Sequence, residues 1–482
     1  MDAQFLAVED GRTHGHVIGV GVYDPATAPD GRLTVETVRE LVAARIHLLA
    51  PLRSKLIEVP FGIDYPYWVE DPAFELDWHI REAPDLQGGD HRDLARLTER
   101  IAAQPLDRAR PLWQIHVAQG FQDGKVVVLT KLHHAAIDGV SGEQLIATLL
   151  DTEQQQSGPS KPFRHTDIPP MPTSAEMLAR GVIGSVIHPL RTLRSLPRAV
   201  PHLDVVPNVN TLPGTTTAAQ MVRRIRRAMS TDTDGAVLRQ PGVRAPRTRF
   251  NRRIEEGRSV AFTSVSLTAI KEIKSAFGVT VNDVVMAVVS GALRSWLAER
   301  DELPDRPMVS TVPISVRAPD DGNNFGNRIG MLYATLPTHL SDPRSRLEFV
   351  HAEMDRAKRR HAAVPATLLQ DANHLIPPAL FGRAARASMA LGTQAGMAVG
   401  PNLLVSNIPG SPVPLNMAGA RLEAQYPVSA IFHNLALNIT VLSYLDHMDW
   451  GIVGAHDEDT WSLLASIEAE IDRLHAEALS TA

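Results

Sequence analysis

Residues 125–130 read Lys-Val-Val-Val-Leu-Thr, a β-branched, apolar run with the character of a buried strand. The chain then turns polar at once: Lys131-Leu132-His133-His134-Ala135-Ala136-Ile137-Asp138-Gly139. Beyond it, residues 141–150 carry Leu145, Leu149 and Leu150 at helical spacing. A strand, a polar loop and a helix follow one another, as in a mixed α/β protein. Two adjacent histidines, an acid and a conformationally free glycine thus sit at the open end of a rigid scaffold, a common place for chemistry.

The rest of the chain bounds what that loop can do. Its 482 residues exceed one ordinary core and fit two domains or more. Net charge is −6, so no global positive field invites nucleic acid. The sequence has no cysteine, which removes disulfides, thiol nucleophiles and zinc–thiolate sites together; it leaves the compartment open while fitting a reducing interior such as the cytoplasm. Met1-Asp2-Ala3-Gln4-Phe5-Leu6 lacks the basic lead and apolar core of a signal peptide. The most apolar long window, residues 388–405, is interrupted by Gln394, Pro401 and Asn402, so any membrane contact is expected to be peripheral.

Taken in order, residues 1–152 read as an N-terminal α/β lobe with a strand at 16–23 and a helix at 35–49. Residues 74–81 alternate, with Phe74, Leu76, Trp78 and Ile80 opposite Glu75, Asp77, His79 and Arg81. The pattern predicts a strand with His79 on its polar face, solvated or hydrogen-bonded. Pro111-Leu112-Trp113 is expected to turn the chain and anchor a tryptophan. Arg108 or Arg110, flanking the same turn, could serve as the ion-pair partner of an interior acid such as Asp138.

Residues 153–258 form a Pro- and Arg-rich connector with candidate helices at 175–187 and 217–229. Arg223, Arg224, Arg226 and Arg227 make a local positive island, suited to anionic headgroups or to substrate phosphates, or simply to solvent. Residues 259–482 read as a second α/β lobe, with strands at 259–267, 309–316, 329–336, 404–408, 437–444 and 450–453 and a closing helix at 462–476. Thr280-Val281-Asn282-Asp283 opens a long apolar helix as a capping-box variant, which accounts for Asp283 and leaves Asn282 unexplained.

An unperturbed imidazole titrates near ~6.5 and can take a proton from a hydroxyl attacking an ester or thioester, a contribution typically worth ~10²–10⁴-fold. No covalent intermediate is needed. A shared metal is disfavoured, because adjacent strand residues point to opposite faces, and no His-Glu-x-x-His pair occurs. Gly139-Val140-Ser141-Gly142 lacks the spacing of a serine-hydrolase elbow, and no phosphate-cradling glycine loop is present. Two readings stay open on the residues alone: a general base, or two satisfied strand-end histidines.

The motif His133-His134-Ala135-Ala136-Ile137-Asp138-Gly139 resembles the His-His-x-x-x-Asp-Gly signature of acyl-CoA-dependent acyltransferases with the two-lobed chloramphenicol acetyltransferase-like fold. Along nearly its whole length the chain is similar to bacterial wax ester synthase/diacylglycerol acyltransferases. The similarity runs through Asp2-Ala3-Gln4-Phe5-Leu6, Asp64-Tyr65-Pro66-Tyr67-Trp68-Val69, Pro111-Leu112-Trp113 and Asn282-Asp283. It continues through Val312-Pro313-Ile314-Ser315-Val316-Arg317, Asn324-Phe325-Gly326-Asn327, Ser406-Asn407-Ile408-Pro409-Gly410 and Leu437-Asn438-Ile439-Thr440.

The resemblance implies an α/β protein of two such lobes, with mixed sheets and an active-site tunnel between them. It implies acyl transfer from acyl-CoA, a co-substrate, to diacylglycerol or a fatty alcohol, with no other cofactor and no metal. His134 would be the general base, with His133 and Asp138 holding the loop, Gly139 leaving room and Asn282 assisting from the second lobe. Pro111, Leu112, Trp113, Asp283, Ser406 and Asn407 would bound the substrate. A peripheral place at the membrane or on lipid droplets would follow. The chain departs from the family pattern at Ser411, where relatives often carry proline, and at Phe432-His433-Asn434, where many carry small residues. Two other readings are a lipid-binding scaffold of the same fold and a glycerol-phosphate-type acyltransferase using His133 and Asp138.

Overall fold

The computed structural model describes residues 5–6, 9–136, 148–152, 171–183, 245–315, 329–362 and 400–481. In chain order its strands and α-helices begin with β1 (His16–Asp24), α1 (Val35–Arg45), β2 (Ser54–Ile57), β3 (Tyr67–Glu70), α2 (Leu76–His79) and β4 (Ile80–Glu82). There follow α3 (His91–Ala103), β5 (Trp113–Phe121), β6 (Lys125–His133), β7 (Asp151–Thr152), β8 (Arg258–Ser266), α4 (Leu267–Phe277) and α5 (Val281–Ala298). The remainder is β9 (Met308–Ser315), β10 (Ile329–Leu336), α6 (Pro343–Ala362), β11 (Leu403–Ile408), β12 (Leu415–Met417), β13 (Ala420–Val428), β14 (Leu437–Tyr444), β15 (His447–Ala455) and α7 (Thr460–Thr481).

Two mixed sheets organise these elements, as expected. The first runs β4-β5-β6-β1-β13-β12-β7 and the second β10-β9-β11-β14-β15-β8, with β2 and β3 forming a separate ribbon. Mixing arises at β4–β5, parallel in an otherwise antiparallel sheet, and at β9–β11–β14, a parallel centre flanked by antiparallel pairs. The first sheet draws on both halves of the chain: β12 and β13, from beyond residue 400, extend it past β1.

The apolar run that opened the sequence reading is β6, at the centre of the first sheet between β5 and β1. Its alternation decides everything near the motif. Val126, Val128 and Leu132 pack into one core with Val38 and Val42 of α1, while Val127 and Leu129 pack on the other face with Leu94 and Leu97 of α3. A third core lies between the second sheet and α4 to α7, with α5 buried on most sides. Thr280 and Asp283 form the expected capping box at the start of α5.

The two sheets meet where β13 crosses β15. A Cβ on Gly451 would lie 1.7 Å from the Pro427 carbonyl oxygen, so only glycine permits the approach. Asp449, fully buried beside it, accepts the Gln425 N–H at 2.7 Å and the Ser264 hydroxyl at 2.5 Å, pinning one sheet to the other.

The strand expected over 74–81 is corrected. Residues 76–79 form one helical turn, and only Ile80–Glu82 is extended. Trp78 N–H bonds back to Glu75, and Arg81 folds over the Trp78 ring at 4.5 Å. His79 is therefore not on a polar face: it is fully buried between Phe74 and Trp113. The helix expected at 175–187 is seen from 174 to 183. Its remainder, the helix at 217–229 with Arg223, Arg224, Arg226 and Arg227, and Arg317 and Asn324-Phe325-Gly326-Asn327 lie outside the described residues. Among the described residues no single helix is long and apolar enough to cross a membrane; α4 and α5 pass such a test only as a pair bent by 100°.

Candidate active site

β6 ends at His133, and the chain turns over residues 134–136. Asp138 and Gly139 lie outside the described residues. The turn is held from both sides by backbone: His133 N–H donates to Leu112 O at 3.0 Å, and His134 N–H donates to Gly15 O at 2.7 Å. The two imidazoles then part, as adjacent residues at a strand end should.

His133 points to the α3 face and is 2% exposed. Its Nδ1 accepts the Ala135 N–H at 2.9 Å, which leaves the ring proton on Nε2. That Nε2–H donates to Glu9 Oε1 at 2.8 Å. Both nitrogens are committed, one to its own turn and one to the N-terminal segment. Burial alone would push the Glu9 carboxyl up, but hydrogen bonds from His133, the Gly15 N–H and Arg108 outweigh it and hold it at about 2.

His134 turns the other way. Its ring stacks on Phe5, with centroids 4.1 Å apart and planes 13° apart, and Phe5 in turn leans on Phe432 at 6.3 Å. The divergent segment 432–434 thus approaches His134 through one phenylalanine. His433 is turned away into structure: its Nδ1 accepts the Ile254 N–H and its Nε2–H donates to Asp10 at 2.9 Å.

The expected substrate-bounding residues separate into two groups. Leu112 lines a cavity of about 310 Å³ with Glu9, Asp10, His14, His16, Arg108 and His133, among others. Pro111 and Trp113 are buried, and Trp113 is a core anchor: Nε1–H donates to Leu52 O at 2.7 Å, and its ring stacks on His79 at 4.4 Å. His79 Nδ1–H meets the Trp113 carbonyl at 2.8 Å, and burial lowers its titration to about 4. Asp283 is spent on structure, accepting the Thr280 N–H at 2.9 Å and pairing with His351 at 2.8 Å. Asn282 is half-buried in the first turn of α5. Ser406 and Asn407 lie in β11 opposite Thr440 and Val441 of β14, one on each face of the second sheet.

Arg108 and Arg110 both have acid partners among the described residues. Arg108 pairs with Glu9 at 2.6 Å and Glu58 at 3.3 Å, and Arg110 with Glu75 at 3.3 Å. Among the described residues the buried acid that Arg108 meets is Glu9, which sequence reading passed over because its partner His133 is so far along the chain; Asp138 lies outside them.

Lys131 was missed too. Two residues before His133 on the same strand face, it is fully buried and donates to Ile101 O at 2.7 Å and to Gln104 O, the carbonyls at the end of α3. Burial pulls its ammonium down to about 7. The third omission is His14-x-His16, whose histidines stack at 5.0 Å. His16 is the β1 partner of His133 across the sheet, and burial, with Lys131 and His133 adding to it, holds it well below the usual imidazole range. An i, i+2 histidine pair entering a strand was a readable signal, since both side chains share a face.

Two mixed sheets meeting at a crossing strand, with a paired histidine at the end of a central strand, define a fold class shared with peptide-synthetase condensation domains. The chain is similar to the first condensation domain of the CDA synthetase at a TM-score of 0.51, with 16% identity over 98% of this chain and 94% of that one. The match is stronger to the wax ester synthase/diacylglycerol acyltransferase from Marinobacter aquaeolei VT8: TM-score 0.68, 26% identity, 99% of this chain and 98% of that one. The family model for the wax ester synthase/diacylglycerol acyltransferase catalytic domain matches residues 1–285, and that for the family's C-terminal domain matches residues 325–475. A probable diacylglycerol O-acyltransferase of Mycobacterium tuberculosis is 32% identical over 98% of this chain and 97% of its own. The chain belongs to the wax ester synthase/diacylglycerol acyltransferase family and is an O-acyltransferase.

Proposed function

We propose that the protein transfers a long-chain acyl group from acyl-CoA to the hydroxyl of diacylglycerol, of a fatty alcohol, or of both, with His134 as general base and no cofactor beyond the acyl-CoA co-substrate. The acceptor hydroxyl oxygen attacks the thioester carbonyl carbon while His134 takes its proton. The tetrahedral intermediate collapses, the C–S bond breaks, and the departing CoA thiolate recovers that proton from His134. No covalent acyl-enzyme is involved.

One observation carries the assignment. His133 has both ring nitrogens committed, to Ala135 and to Glu9, which favours giving the proton transfer to its neighbour. The same observation argues against the glycerol-phosphate-type reading, in which His133 works with Asp138. Asp138 and Gly139 keep their proposed parts in shaping the loop, and Asn282 its part in assisting from α5. The acceptors named for relatives, diacylglycerol and wax alcohols, are the substrate classes to expect here. Such acceptors partition into lipid, so the protein works at a membrane or droplet surface on the cytoplasmic side.

The test is a single assay: purified protein, labelled long-chain acyl-CoA, and hexadecanol, diacylglycerol or monoacylglycerol in parallel, with products resolved by lipid class. Stoichiometric CoA release with a neutral lipid ester is expected. Lipid binding without CoA release for every acceptor would replace the enzyme reading by the scaffold reading.

A further inference from the structure

We propose that Glu9, His14 and His16 form a binding site for a divalent first-row transition metal of the zinc type, lying against His133 and taking no part in acyl transfer. Two imidazoles and one carboxylate are a donor set that zinc, cobalt and nickel favour over calcium or magnesium, which prefer all-oxygen shells. Their ligating atoms already lie within 4.8 Å of one another. Tetrahedral ligands about 2.1 Å from a metal stand about 3.4 Å apart, so the group must close by about an ångström. His14, half-buried at the cavity wall, can make that movement by side-chain rotation.

His16 is 7% exposed and lightly held: Nε2 receives a long 3.4 Å N–H from Leu106, the ring has a further backbone contact at Ala102, and Nδ1 has no partner of good geometry. Buried polar atoms are ordinarily satisfied; a metal bond at Nδ1 would satisfy that atom, and one at Nε2 would replace the long Leu106 contact. The three residues face the cavity of about 310 Å³, which leaves room for water at a fourth position.

The positive groups nearby are engaged elsewhere. Lys131 donates to the α3 carbonyls, and Arg258 donates to the carbonyls of Arg12 and Gly257. The direct competitor is Arg108, which holds Glu9 Oε2 at 2.6 Å. Arg108 is 44% exposed and already reaches Glu58, so it can cede that oxygen at little cost. Glu9 Oε1 stays with His133 and Gly15. The metal would thus replace an exposed guanidinium at Glu9 and tie the segment at Glu9 to the start of β1.

The test uses the full chain and Co²⁺ as a spectroscopic probe. Titration is expected to give saturable, stoichiometric binding with the intense visible bands of a low-coordinate Co²⁺ centre, bleached by Zn²⁺. His14→Ala is expected to weaken Co²⁺ by more than the roughly 10–100-fold that loss of an outer-shell partner costs. Arg108→Ala is expected to tighten it severalfold, by removing the competitor for Glu9. Absent visible bands at millimolar Co²⁺, or bands unchanged in both variants, would overturn the proposal. Because the readout is absorption and needs neither substrate nor turnover, it stands independently of the acceptor and of the general-base assignment.

Discussion

His133 and Glu9 are 124 positions apart in the chain and 2.8 Å apart in space. With the Ala135 N–H on Nδ1, the contact places the ring proton on Nε2 and ties the imidazole to the N-terminal segment. Glu9→Gln keeps an acceptor for His133 and loses the charge; a less than tenfold fall in kcat is expected, with KM for acyl-CoA unchanged. Glu9→Ala releases the ring, and kcat should fall by roughly 10–100-fold, the usual cost of removing a partner that orients a site group. The Glu9 carboxyl titrates lower in the folded chain than unfolded, about 2 against 4.5. Its stabilising contribution is therefore complete above about 4.5 and lost as pH falls through about 2. Acid unfolding of wild type and Glu9→Gln should converge across that window.

The paired histidines should separate cleanly by variant. His134→Ala is expected to lower kcat by ~10²–10⁴-fold and leave the melting temperature near that of the wild type. His133→Ala should lower both, because it strands a buried carboxylate and a turn N–H. Thermal melts alongside CoA-release rates check the pair. Equal loss of stability in both variants would undo the division of labour.

Lys131 should be visible in alkaline stability. Its folded titration near 7 lies below its unfolded value of 10.5. Between those limits the unfolded chain binds the extra proton, so stability attributable to this residue rises with pH. Against a Lys131→Met variant, the wild type should gain roughly 1.4 kcal/mol per pH unit across the window, read from urea midpoints.

Trp113 should behave as an anchor. Trp113→Phe loses the bond to Leu52 and part of the stack on His79, and is expected to cost about 1–2 kcal/mol. Its KM for acyl-CoA should match the wild type. A raised KM at unchanged stability would return Trp113 to the substrate wall.

What the sequence made legible was local. The run 125–130 is mostly β-branched and became β6; Thr280 and Asp283 satisfy each other within one turn and became the cap of α5. Residues 74–81 misled because a period of two also accommodates a single helical turn, and the choice fell to Phe74 and Trp113 closing around His79. Glu9 carries no local mark of its role, since its charge is spent on a ring that sequence places far away. The crossing of β12 and β13 is similarly silent: their alternation fits either sheet, and Gly451 and Asp449 select the first only once β15 is in place. The motif was readable as chemistry and the resemblance already divided its histidines; the turn at Ala135 adds the bond that commits the His133 Nδ1.

The position of β13 sets a timetable for the newborn chain. β1 and β6 leave the ribosome early and can pair at once, but the other edge of β1 waits for a strand translated near the end. Throughout that interval an unpaired, largely apolar edge is exposed, the type of surface that recruits chaperones or other nascent chains. Slow translation between these strands should therefore depress soluble yield. An isolated fragment ending at residue 152 should aggregate, whereas supplying residues 259–482 during synthesis should rescue it.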